Sequence, residues 1–149
     1  LAQIVNVLQA VILTEGEKML LTPTYHVMKM YNVHQDALLV PIHLETPNYT
    51  FEGKNIPAVS ASASKKDGSL NISLTNVDYS KAHEVSIRLR GENYSRVQGQ
   101  ILSSGNVLDH NTFDQPEKIK VRNFSDAKLV NGELKLTIPA HSVVVLNMQ

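Results

Sequence analysis

Val59-Ser60-Ala61-Ser62-Ala63-Ser64, then Lys66-Asp67-Gly68-Ser69, then Leu70-Asn71-Ile72-Ser73-Leu74-Thr75: this stretch decides the fold. Both flanks alternate apolar and polar residues with period two, the repeat that puts successive side chains on opposite faces of a strand. Asp67-Gly68 between them supplies residues that tolerate positive φ, as a tight hairpin demands. Further strands lie on either side. Ala37 to Leu44 is interrupted by Pro41, which places it at a sheet edge or a bend. Val85 to Arg90 stops at Gly91, and Val97 to Leu102, Ile119 to Val121, Leu134 to Ile138 and Val143 to Leu146 complete the set. Short strands at such spacing, joined by polar turns, predict a mainly β chain. The expected form is an antiparallel β-sandwich or jelly roll with one wet face per sheet.

The first third reads differently. Apolar runs there are nearly continuous, and the two regimes meet between Asn32 and Ala37. Leu1 to Val7 reads as a buried strand end. Ala10 to Leu13 and Met19 to Leu21 flank Glu15-Gly16, a hairpin turn. Thr22 suits an N-cap and Pro23 a first helical residue, so a helix is expected to about Tyr31. Its apolar stripe is Val27, Met30 and Tyr31, at i, i+3, i+4 spacing.

Composition narrows the function classes. The 149 residues are 42% hydrophobic and 19% charged, in keeping with a soluble globular chain. Lys and Arg number 14, as do Asp and Glu, so the charge surplus that draws proteins to nucleic acid or anionic membranes is missing. With no cysteine, disulfides and thiolate metal sites are excluded. Leu1 to Leu13 has neither a basic start nor a small-residue cleavage site, so it is read as a structural segment, not a signal peptide, and it is too short and too interrupted to span a bilayer.

No chemistry declares itself from spacing alone. Glu15, Glu17, Glu45, Glu52, Glu84, Glu92 and Glu117 lie in polar settings, whereas acid–base sugar chemistry needs one carboxyl in surroundings that raise its pKa. His26, His34, His43, His83, His110 and His141 show no metal-ligand spacing, so no metal or cofactor is expected. Tyr49, Tyr79 and Tyr94 are candidates for sugar stacking. The missing Trp counts against a stand-alone polysaccharide-binding module. Asn48, Asn71, Asn93 and Asn123 begin N-x-Ser/Thr sequons of a kind that an Asn- and Ser-rich chain produces by chance.

The run from Leu1-Ala2-Gln3-Ile4-Val5 through Leu20-Leu21-Thr22-Pro23-Thr24-Tyr25-His26-Val27, with Met30-Tyr31-Asn32-Val33-His34-Gln35-Asp36-Ala37 after it, resembles the end of the catalytic barrel in glycoside hydrolase family 51 α-L-arabinofuranosidases. The closing Leu136-Thr137-Ile138-Pro139-Ala140-His141-Ser142-Val143 is similar too, though less specific. This resemblance implies that residues 1–36 are the last strand, hairpin and helix of a (β/α)8 barrel, and residues 37–149 a C-terminal jelly-roll sandwich. It implies a retaining enzyme that hydrolyses terminal α-L-arabinofuranosyl groups of arabinan, arabinoxylan and arabino-oligosaccharides. Such chemistry uses two glutamates roughly 5 Å apart; in the family both precede this region, leaving no catalytic residue in this chain and predicting that it is inactive alone. Gln3 occupies the position of a family glutamine that hydrogen-bonds the sugar, near the carboxyl end of a barrel strand where such sites lie; Gln9 is a second candidate. The expected partners are the upstream barrel, arabinofuranosyl saccharides and further copies of the protein, in the cytoplasm. The alternative reading is a non-catalytic sandwich for polysaccharide binding or subunit assembly.

Overall fold

The computed structural model describes residues 3–6 and 10–149. Strands β1 (Gln3–Val5), β2 (Ala10–Glu15) and β3 (Lys18–Leu21) form a small sheet. β1 runs parallel to β2, with Val5 opposite Ile12. The β2–β3 hairpin pairs Glu15 with Lys18 and turns at Gly16, whose φ of +57° suits a residue without Cβ. Ala10, Val11 and Leu20 are buried, but Ile4 and Val5 are 73% and 46% exposed. The strand end expected to be buried is therefore uncovered within this chain.

Helix α1 spans Pro23–Tyr31 and passes into a 3-10 turn at Asn32–His34. Pro23 presets the helical φ and forfeits an N–H that would be unpaired anyway. Thr22 does stand at the N-cap in extended conformation, but its hydroxyl does not cap the helix. It lies 2.9 Å from both the Ala10 and the Val11 carbonyls, so it staples α1 to β2 instead.

After β4 (Leu38–Val40) comes a separate hairpin, β5 (Asn48–Phe51) with β6 (Lys54–Pro57), which the sequence did not announce. The strands β7 (Val59–Lys66), β8 (Ser69–Asn76), β9 (His83–Arg88), β10 (Val97–Leu102), β11 (Arg122–Phe124), β12 (Lys128–Val130), β13 (Glu133–Ile138) and β14 (Ser142–Met148) join β4 in the sandwich. A six-stranded sheet has the order β11-β10-β14-β8-β7-β4, and a three-stranded sheet the order β12-β13-β9. Every pairing in both is antiparallel. The deciding hairpin is β7–β8, with Lys66 opposite Ser69 and Asp67-Gly68 at positive φ. β4, ending just before Pro41, sits at a sheet edge where a missing donor costs nothing.

The main core lies between the two sheets. Ile72, Leu74, Val144, Leu146 and Met148 of the large sheet meet Leu134, Leu136 and Ile138 of the small one. Burying each such side chain stabilises the fold by about 1.5–3 kcal/mol. At Gly99 in β10 a Cβ would come within 2.8 Å of the Phe124 carbonyl oxygen and 2.9 Å of Leu146, so only hydrogen fits between the flanking strands.

The opposite face of the large sheet is not wet. Met30 of α1 packs there with Leu102, Ile119 and Val145, with Val27 and Tyr31 at the margin, so the expected helical stripe faces the sandwich. Asn71 and Ser73 of β8 are accordingly 4% and 1% exposed. One strand expectation fails: Ile119 to Val121 is not a strand, and pairing begins at Arg122. Ile119 is apolar because it plugs the layer under α1.

Candidate functional site

Gln3 begins β1 and its backbone pairs opposite Ala10; its side chain lies outside the described residues, as does Gln9 entirely. The far end of β1 is firmly held. Asn6 takes φ +48° and ends the strand. Its Oδ1 accepts a hydrogen bond from the Thr14 N–H at 2.7 Å, its Nδ2 donates to the Thr14 hydroxyl at 2.6 Å, and its own N–H donates to the Ile12 carbonyl. Asparagine tolerates left-handed backbone better than most residues, and here its amide pins the carboxyl end of β1 across β2. That is a rigid mount for any group on β1.

The mount is in turn fixed to the sandwich. Thr22 joins β2 to α1, and Met30 seats α1 on the large sheet. Beyond the helix, His34 Nδ1 lies 2.7 Å from the Ser64 hydroxyl and Nε2 3.0 Å from the Ser73 hydroxyl. Tyr31 shares a hydrogen bond with Thr75 at 3.2 Å. The hydroxyls satisfy a neutral imidazole, one donating and one accepting, and burial lowers the His34 pKa below its ordinary 6.5.

The carboxyls whose acidity is shifted all move down, opposite to a general acid. Asp78 is lowered chiefly by the Ser80 backbone N–H, then by Lys81 and His83. Lys65 and Tyr94 lower Glu92, Lys118 lowers Asp109, and Ser86 with Lys135 lowers Glu133. Asp78 belongs to a structural knot: Asn76, 1% exposed, donates from Nδ2 to the Lys81, Ile138 and Pro139 carbonyls and accepts from the Asp78 N–H. Among the described residues no three His, Asp or Glu side chains gather as a metal site.

Of the three tyrosines, Tyr94 packs against the main core and donates its hydroxyl to Glu92 at 2.7 Å; burial first, and then that carboxylate, raise its pKa to about 12. Its ring is taken up at the margin of the core. Tyr79 is exposed, and Tyr49 sits on the β5–β6 hairpin beside Phe51 and Ile56.

Comparison with known proteins settles the family. The family described as "Alpha-L-arabinofuranosidase C-terminal domain" matches residues 1–142. The chain belongs to that family. An intracellular exo-α-L-arabinofuranosidase of Bacteroides ovatus is 44% identical over the whole chain, which spans 29% of that protein. α-L-Arabinofuranosidase 1 of Arabidopsis thaliana is 29% identical over 81% of the chain and 18% of its own length. The crystal structure of the GH51 arabinofuranosidase from Xanthomonas axonopodis pv. citri superimposes with a TM-score of 0.96 at 44% identity, covering 99% of this chain and 30% of that one. The thermostable GH51 enzyme of Thermotoga petrophila gives 0.83 at 26% identity, over 99% and 33%. This arabinofuranosidase C-terminal domain thus spans roughly a third of its relatives' length or less. No described helix is long and apolar enough to cross a membrane.

One feature of the arabinofuranosidase domain was not read from the sequence. The segment between β10 and β11 borders a cleft of about 360 Å3 with Ser103, Asp109, Glu117, Lys118, Lys120 and Arg122 on its walls. The signal was there: Lys118, Lys120 and Arg122 alternate, which in extended backbone puts three cations on one side.

Proposed function

We propose that this chain is the C-terminal part of a retaining enzyme that removes terminal α-L-arabinofuranosyl groups from arabinan, arabinoxylan and arabino-oligosaccharides. The observation that carries this is the whole-chain likeness, at 44% identity, to a protein named as an intracellular exo-α-L-arabinofuranosidase. Residues 1–36 are the end of the catalytic barrel and residues 37–149 the sandwich. The two catalytic glutamates lie upstream, and Gln3 forms one wall of the sugar pocket. Gln3 opens β1, and Asn6 pins the opposite end of that strand across β2; the role of Gln3 itself rests on the family likeness. Cytoplasmic location follows the naming of the Bacteroides relative. The experiment is turnover of an aryl α-L-arabinofuranoside by the intact enzyme, with and without Gln3→Ala. One lost neutral hydrogen bond is worth about 0.5–1.5 kcal/mol, up to about tenfold in kcat/KM. An unchanged kcat/KM removes Gln3 from the pocket.

A second reading adds subunit assembly. Leu38 and Leu39 are 72% and 77% exposed, and Phe51 and Ile56 also face outward. Apolar side chains of that size on a surface mark contact regions when they gather. Homo-oligomerisation through this domain is the corresponding expectation, and light scattering on the intact enzyme with Phe51→Asp tests it: a fall in mass supports the reading.

A further inference from the structure

From Ser103 to Val121 the chain has no helix or strand, a length at which ordered loops usually carry function. It is held firmly at three points. Asn111, 5% exposed, accepts from the Ile119 N–H at 2.7 Å and donates to the Ile119 and Leu21 carbonyls at 2.9 Å. Ile119 is locked under α1. His141 Nε2 donates to the Ser104 carbonyl at 3.0 Å. These anchors fix the loop beside a half-open cleft of about 360 Å3. Its walls carry charged and hydroxyl side chains and no aromatic ring, with their carbon stems making up most of the exposed lining. Lys118 is paired with Asp109 at 2.9 Å and Lys120 with Glu117 at 3.0 Å. Arg122 donates only to the Ser103 hydroxyl, at 3.0 Å, and has no carboxylate partner among the described residues. Three cations face two carboxylates, so the cleft holds one positive charge in excess and a guanidinium with unused donors.

We infer that this cleft binds a sugar bearing a carboxylate, with Arg122 as the carboxylate anchor and the paired Asp109 and Lys118 serving the ring hydroxyls. A planar guanidinium matches a carboxylate through two parallel N–H···O bonds. Ion-paired side chains with spare lone pairs and protons match hydroxyls. The carboxylate half rests on the charge balance alone; the sugar half rests on the proposed role in saccharide hydrolysis. The site would hold acidic residues of a polymer while neutral arabinofuranosyl groups are removed elsewhere.

The test is saturation-transfer NMR on the intact enzyme with sodium D-glucuronate, D-glucose and sodium acetate as probes, with aryl arabinofuranoside turnover measured in parallel. Glucuronate should bind, weaken with added salt as exposed charges are screened, and lose about tenfold in affinity in Arg122→Met, the loss of a charge-assisted pair. Glucose should bind at least as weakly as glucuronate does to that variant. Lys120→Met, with the thermal midpoint recorded for both variants, guards against unfolding and should weaken glucuronate less than Arg122→Met. Absence of glucuronate binding, an unchanged affinity in Arg122→Met, or acetate binding as tightly as glucuronate would each overturn the proposal. Turnover should be unchanged in both variants. Absence of turnover in the unmodified enzyme would contradict the proposed activity, and the glucuronate result alone would then decide the carboxylate half of the inference.

Discussion

The imidazole of His34 meets the hydroxyl of Ser64 at 2.7 Å, joining the turn after α1 to a sandwich strand 30 residues further on. The second ring nitrogen reaches Ser73 on the neighbouring strand. One side chain thus bridges two strands and fastens the helical segment to the sheet, and that gives the attachment a pH dependence.

Burial lowers the His34 pKa from 6.5, and burial with the nearby Lys29 charge lowers that of His26. Between the lowered values and 6.5 the unfolded chain binds more protons than the folded one, so stability rises with pH there. It is fully present above about pH 6.5 and declines as pH falls toward the folded-state values. Thermal midpoints between about pH 5 and 8 should show this slope, and His34→Gln should flatten it. An unchanged slope in the variant would assign the effect to other groups.

Met30 is 3% exposed and Met28, two residues earlier, is 54% exposed. Met30→Ala should destabilise by about 2–5 kcal/mol, and Met28→Ala by no more than about 0.5 kcal/mol. Denaturant unfolding reads both. Equal effects would mean that α1 does not seat on the sheet.

Asn76→Ala would remove the side-chain donor that serves the Lys81 and Ile138 carbonyls, while the Pro139 carbonyl keeps the Ser142 hydroxyl at 2.7 Å. Each unsatisfied buried group costs about 1–3 kcal/mol. A loss of at least about 2 kcal/mol is expected, and a loss under about 0.5 kcal/mol would show that water replaces the amide.

Gly68 has φ +77° in the β7–β8 turn, with open space where a Cβ would stand. Gly68→Ala should therefore cost only the left-handed backbone penalty, about 1–2 kcal/mol, with no change in the strand register seen by NMR.

The β7–β8 hairpin and α1 were legible because their signals are local: Asp67-Gly68 between alternating runs, and Thr22-Pro23 ahead of an i, i+3, i+4 stripe. What the local signals missed was decided by packing. Ser73 alternates like a wet-face residue, yet α1 and the turn after it cover that face, and the serine answers His34. Ile119 reads as strand because it is apolar, and it is apolar for the helix above it. The β5–β6 hairpin escaped notice because Phe51 and Ile56 stay exposed, so Asn48 to Pro57 lacks the buried face that alternation advertises. Gln3 was read only through family likeness, since no spacing in this chain distinguishes it.

In the proposed function this chain supports arabinofuranoside hydrolysis without performing it. The direct measurement is turnover of an aryl α-L-arabinofuranoside by the purified 149-residue chain beside the intact enzyme. The intact enzyme should be active and the chain alone slower by at least about four orders of magnitude, since the proposed function puts nucleophile and acid–base upstream of these residues. Turnover by the chain at a rate near that of the intact enzyme would place catalytic groups within these residues and contradict the account.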